Sequence, residues 1–197
     1  MTAKTPAPIT LTGSHIRLEP LSRSHLPDLF AAGGNDDAVW QWQGGPTPRT
    51  EQELGAKLDK IVGNASYVAF AVILLSTGKA IGWTTFSDIS AVDERLEIGW
   101  TWYGSAYWRS AVNTEAKLLL LVHAFEDLGM GRVQWKTDHM NQRSQNAIAR
   151  LGAQREGVLR RHRMRPDGTF RDSVYFSMLA EEWPAAKQRL TERLARG

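Results

Sequence analysis

The sequence predicts a single α/β domain: a mixed sheet with helices on its faces. Two observations predict it. Strand-like runs first follow one another and later alternate with helical runs, the order expected of sheet and helix layers. At 197 residues, with 42% apolar and 23% charged side chains, the chain can fill one substantial core under an ordinary globular surface.

Residues 15–21 alternate apolar Ile16 and Leu18 with polar neighbours and read as an opening strand. Ser22 or Ser24 caps a helix through Leu26, Leu29 and Phe30, ended by Gly33 and Gly34. Residues 36–48 read as an irregular loop, and Thr50 and Glu53 then show capping-box spacing ahead of a helix to about Val62. Residues 67–75 and 80–87 form a hairpin across residues 76–79. Residues 96–103 are a third strand, with Leu96, Ile98, Trp100 and Trp102 on one face and Glu97, Gly99 and Thr101 on the other. Residues 113–128 contain no Gly or Pro and predict the clearest helix, stopped by Gly129. A short strand over 133–137 precedes a helix over 141–151, with Asn141 as N-cap and Gly152 past its end. Residues 154–165 and 170–179 form a hairpin across Pro166, Asp167 and Gly168, and a last helix starts near Trp183 and Pro184. Residues 1–10 are assigned to an N-terminal tail and 11–197 to the domain.

The absence of cysteine excludes disulfides, thiolate metal sites and a cysteine nucleophile. Residues 1–8 lack the apolar stretch of a signal peptide, and the longest apolar run, 118–122, is too short to span a bilayer, so a cytoplasmic protein with no membrane partner is expected. A net charge of +3 favours an anionic ligand without naming one. No His or carboxylate pair has metal-ligand spacing, and no metal is expected.

Two strand-to-helix passages carry the candidate chemistry. In the first, the 96–103 strand feeds a loop that opens the long helix near Asn113. The free N–H groups and positive dipole end of such a helix suit a phosphate or pyrophosphate, and Arg109 can add a charge-assisted contact. An ordinary strand-to-helix connection has the same pattern. In the second passage, Asn141 and Ser144 fall in the first helical turn, with Ala147, Ile148 and Leu151 as its buried stripe. Capping alone would account for Asn141.

Together, Glu97-Ile98-Gly99-Trp100, Thr114-Glu115-Ala116 and Asn141-x-x-Ser144 followed by Leu151-Gly152-Ala153 resemble the GNAT superfamily of N-acetyltransferases, more closely its RimJ/RimL-like branch. The likeness runs from about Leu11 to Trp183. It implies a mostly antiparallel seven-stranded sheet, splayed at a central parallel pair that receives the co-substrate acetyl-CoA. The reaction implied is direct attack of an amine on the thioester. Trp100, Thr101 and Trp102 would offer backbone groups to the pantetheine, one N–H polarising the thioester carbonyl. Trp108, Arg109, Ser110, Ala111, Val112, Asn113 and Thr114 would hold the pyrophosphate, and Asn141 the pantetheine arm. Glu97 matches the branch's strand glutamate and is the candidate base, its apolar neighbours raising its pKa; pairing with Arg95 is the structural alternative. Ser144 matches the serine placed to protonate the departing thiolate, with Tyr103 and Tyr107 as fallback acids. His123 reads as a structural histidine, and His139 as a loop residue near Asn141. One departure stands out. The family loop usually reads Gln/Arg-x-x-Gly-x-Gly/Ala, whereas residues 108–113 hold no glycine; Ala111 and Asn113 stand where glycine's freedom is expected.

The acceptor pocket implied by the resemblance uses residues 39–42, with Trp40 and Trp42 as walls, and the 160–171 hairpin. Arg160, Arg161, Arg163, Arg165 and Arg171 make that hairpin basic, and alternation places Arg161, Arg163 and Arg165 on one face. Such a face suits an acidic protein tail, an anionic small molecule, the phosphates of CoA, or plain solvent. The acceptor is expected to be a protein N-terminus or a small-molecule amine. The alternative is a non-catalytic acyl-CoA-binding module. A nucleic-acid partner fits poorly, because the basic run lacks interleaved aromatics. The resemblance also points to a homodimer.

Overall fold

The computed structural model describes residues 2–165 and 167–196; Pro166, part of the expected second turn, lies outside the described residues, as do Met1 and Gly197. In chain order the elements are β1 (Leu11–Thr12), β2 (Ile16–Pro20), α1 (Leu26–Gly33), α2 (Asp37–Trp40), α3 (Glu51–Val62), β3 (Val68–Leu74), β4 (Lys79–Ser90) and β5 (Arg95–Tyr103). There follow α4 (Ala111–Val122), β6 (Arg132–Asp138), α5 (Gln142–Ala149), β7 (Gln154–Met164), β8 (Phe170–Leu179) and α6 (Trp183–Ala195).

Among the described residues, eight strands form one sheet in the order β1-β2-β3-β4-β5-β6-β8-β7, with only the β5–β6 pair parallel. The sequence predicts seven; the additional strand is two-residue β1, paired to β2 through Leu11 and Leu18 and too short to show a period. Its turn is fixed by α4, which packs against β1 and β2. The buried Glu115 carboxylate of α4 accepts from the backbone N–H groups of Ser14 (2.7 Å), His15 (2.8 Å) and Ile16 (2.8 Å). Gly13 makes room, since a Cβ there would lie 2.4 Å from that carboxyl carbon.

Side-chain alternation gives the sheet two apolar faces. Phe70 and Val72 of β3 join Leu96, Ile98, Ala116, Leu120 and Leu190 under α4 and α6. Ala71 and Ile73 join Leu29, Leu54, Leu58 and a tryptophan cluster under α1 to α3. In that cluster Trp40 packs on Trp83 and Trp102 at 5.9 and 5.1 Å between ring centroids.

Several local expectations change. The 36–48 segment contains the short helix α2, capped by Asp36, which accepts from Ala38 N–H. The long helix begins at Ala111, two residues early, and passes at His123–Asp127 into a π turn, with Leu128 N–H bonded to the His123 carbonyl. The largest change is in β5. Trp83 pairs with Trp102 and Thr85 with Gly99, so Trp100 and Thr101 together oppose Thr84. This is a β-bulge, with Trp100 at φ +51°. The extra residue reverses the faces. Leu96 and Ile98 point to the α4 layer, whereas Trp100 and Trp102 point to the α1–α3 layer. The expected shared face of these four residues is therefore incorrect.

Candidate active site

The parallel pairing of β5 with β6 covers only Arg95↔Arg132, Leu96↔Val133 and Glu97↔Gln134. Beyond Glu97 the bulge turns β5 aside, and the strands part around a cleft of roughly 1010 Å³. The cleft reaches from the N-terminus of α4 and the start of α5 to the β7–β8 hairpin.

Glu97 sits where the strands separate, 3% exposed. Its Oε2 lies 2.7 Å from Lys136 Nζ, outside hydrogen-bond alignment. Lys136 compensates the buried charge; Arg95, the partner weighed from the sequence, binds Asp88 and Asp93 instead. Gly99 leaves space for the carboxylate, because a Cβ there would stand 2.9 Å from Glu97 Oε1. Lys136 was not legible as a site residue: its signal, position 136 on a strand two residues before Asp138, is a pattern any surface lysine shares.

At the opposite wall, Ser110 caps α4 by accepting from Val112 N–H (3.3 Å) and donates to the Tyr107 carbonyl (2.7 Å). The left-handed residue of this loop is Arg109, at φ +59°. Ala111 and Asn113 are helical, so neither needs the positive φ for which glycine was expected. Trp108 donates from Nε1 to the Tyr103 carbonyl (3.0 Å), and the Arg143 guanidinium lies 3.8 Å above its ring. Asn141 caps α5 by accepting from Ser144 N–H at 3.0 Å.

Glu97, Trp100, Thr101, Trp102, Trp108, Arg109, Ser110, Asn113, Thr114, Asn141, Ser144 and Trp42 all line the cleft. Ala111 does not, and Val112 is turned into the core. Trp40 is not a cleft wall: it is 3% exposed, and its Nε1 donates to the Gly33 carbonyl at 2.7 Å. Tyr103 and Tyr107 both reach the cleft, and burial pushes the Tyr103 phenol far above its ordinary range. His123 is held by Asp127 (2.8 Å) away from the cleft, and His139 lies outside its lining.

A further cleft residue, Lys117, escaped the sequence because it falls on the helix interior among leucines. It is 5% exposed and donates to Thr101 Oγ1 (2.7 Å) and Thr84 Oγ1 (3.2 Å), directly under the bulge. Burial without a carboxylate partner among the described residues pushes its amine down to about 7.

Does the cleft fit an acyl-CoA? Among the described residues, five buried side-chain polar atoms lack a hydrogen bond, and four belong to cleft residues: Glu97 Oε2, Trp102 Nε1, Tyr103 Oη and Trp135 Nε1. Buried polar groups are normally satisfied, so this concentration marks a surface suited to a polar ligand. The strand edge beyond Glu97, unpaired with β6, and the α4 N-terminus supply backbone donors to the same cleft.

A mixed sheet opened at one parallel pair, with a helix N-terminus beside the gap, defines an acyltransferase architecture. The acetyltransferase (GNAT) domain family matches residues 15–154, and the chain belongs to that family. A GCN5-related N-acetyltransferase from Brucella melitensis superposes with a TM-score of 0.93 at 33% identity, covering 98% of this chain and 88% of that one. The uncharacterized N-acetyltransferase p20 of Bacillus licheniformis is 30% identical over 70% of this chain and 78% of its own length. Mycobacterium smegmatis RimJ, solved in complex with CoA-disulfide, shares the fold with a TM-score of 0.78 at 20% identity, covering 94% and 95% of the two chains.

Proposed function

We propose that this protein transfers the acetyl group of acetyl-CoA to a primary amine, with Glu97 as the base. The observation that supports this most is the buried Glu97 carboxylate at the parting of β5 and β6, with Gly99 leaving space beside it. The bound co-substrate supplies an acetyl group activated as a thioester. Its pantetheine would lie along Trp100 to Trp102 and Asn141. Its pyrophosphate would meet the N–H groups of Arg109 to Asn113, with Thr114, Arg109 and Arg143 beside them.

An amine is protonated at neutral pH and is not a nucleophile in that form. Glu97 takes the proton, directly or through one water. Lys136 leaves the carboxylate Oε1 free for this, since it sits on Oε2. A backbone N–H of the bulged strand polarises the carbonyl that is attacked. Ser144, half-buried in the first turn of α5 and lining the cleft, returns a proton to the departing sulfur; the Tyr103 hydroxyl is fully buried and less accessible to it.

The test is release of CoA thiol from acetyl-CoA with a panel of amines. Wild type should turn over, and Glu97→Gln should lower kcat by about 100-fold or more while acetyl-CoA binding persists. Binding with no turnover by wild type on any amine would instead favour the non-catalytic acyl-CoA module.

A further inference from the structure

The β7–β8 hairpin carries the arginines that charge the acceptor end of the cleft, and the structure separates them. A bulge between Leu159 and Arg163, with Arg161 at φ +51°, breaks the expected alternation of Arg161, Arg163 and Arg165. Arg161 turns out of the cleft lining and stacks 4.0 Å over the Phe170 ring. Arg165 is neutralised by buried Asp138, to which it donates at 2.8 and 2.9 Å. Arg163 and Arg171 remain. They are register partners on adjacent antiparallel strands, so they project from the same face, and both line the cleft.

Two like charges directly opposite each other in a sheet repel. Neither arginine has a carboxylate partner among the described residues. Arg171 is half-buried, and among the described residues its guanidinium donates only to Ser173 Oγ, at 2.9 Å. Burial pushes its pKa down, Asp138 and Glu97 oppose this, and Arg163 adds to it. His162, bonded to the same Ser173 Oγ at 2.9 Å, has its imidazole pushed down by burial and then by Arg163, Lys136 and Arg171. Several cations therefore converge on one pocket wall that already holds the Glu97–Lys136 pair. A pair of guanidinium groups on one strand face, Arg171 half-buried and Arg163 exposed at the cleft, is a receptor for an anion, and a guanidinium fork matches a carboxylate.

We propose that the acceptor carries a carboxylate beside its amine, and that Arg171 and Arg163 hold this carboxylate while the amine faces Glu97. The inference rests on the acetyltransferase reading. It names the acceptor's chemistry: an amino-acid-like small molecule, or a peptide N-terminus with an acidic side chain next to it.

The experiment measures kcat/KM on matched acceptors. One arm compares amino acids with the same molecules capped as carboxamides. The second compares short peptides with Asp or Glu at the second position against Asn or Gln. A carboxylate preference of about tenfold or more in either arm supports the inference, and the arm that shows it identifies the source. Arg171→Gln should bring that ratio toward one, chiefly through KM. Arg171→Lys should retain part of it, since charge survives and the fork does not. The acetyl-CoA KM and the melting temperature of both variants check that the cofactor end and the fold persist. Turnover without any carboxylate preference, or an unchanged ratio in well-folded Arg171→Gln, overturns this inference and leaves the acetyltransferase reading standing. No turnover with any acceptor overturns both.

Discussion

Lys117 offers a stability measurement with a definite sign. Its ammonium is buried under the β5 bulge against two threonine hydroxyls, and burial moves its pKa from the ordinary 10.5 to about 7. That difference corresponds to about 5 kcal/mol between protonation states. The unfolded chain holds the proton up to about pH 10.5, whereas the folded chain releases it above about 7. Between those values the unfolded state binds more protons, so stability rises with pH; below pH 7 both states are protonated and the full cost remains. From pH 7 to pH 9 the gain from this group is about 2 kcal/mol. Lys117→Met removes the buried charge and leaves Thr84 and Thr101 bonded to each other at 2.8 Å. The variant should be more stable than wild type at pH 7 by about 1–4 kcal/mol, and its advantage should shrink by about 2 kcal/mol at pH 9. Urea unfolding followed by tryptophan fluorescence at pH 6, 7, 8 and 9 measures both quantities. Parallel profiles for the two proteins, or a variant less stable at pH 7, would refute the reasoning.

Other expectations follow from single contacts. Glu115→Ala strands the N–H groups of Ser14, His15 and Ile16 and should cost about 3 kcal/mol in the same unfolding assay; an effect below about 1 kcal/mol contradicts the anchoring role. Gly99→Ala drives a methyl to 2.9 Å from Glu97 Oε1, so kcat should fall at least about tenfold with the acetyl-CoA KM little changed; equal losses in both would point to a wider disturbance of β5. Glu97→Gln and the Arg171 variants test the base and the acceptor pocket separately.

The amino-acid sequence alone determined the class of fold, because that information is periodic and local. Alternation marks the strands, and the caps at Thr50 and Asn141 stand where the structure has them, each accepting from the N–H three residues on. The order of elements and the Glu97, Thr114–Ala116 and Asn141–Ser144 motifs located the cleft, because each motif lies at a strand end or a helix start. Tertiary structure decided what no period carries. One extra residue at Trp100 reverses every side chain after it and opens the sheet, and two extra residues between Leu159 and Arg163 separate arginines that alternation would have aligned. Trp40 became core and Trp42 cleft because the short α2 turns one indole inward onto Trp83 and Trp102. Lys117 and Lys136 joined the site because distant strands and helices brought hydroxyls and a carboxylate to them. A charge's partner is set by distance in space, and that distance exists only after the chain has folded.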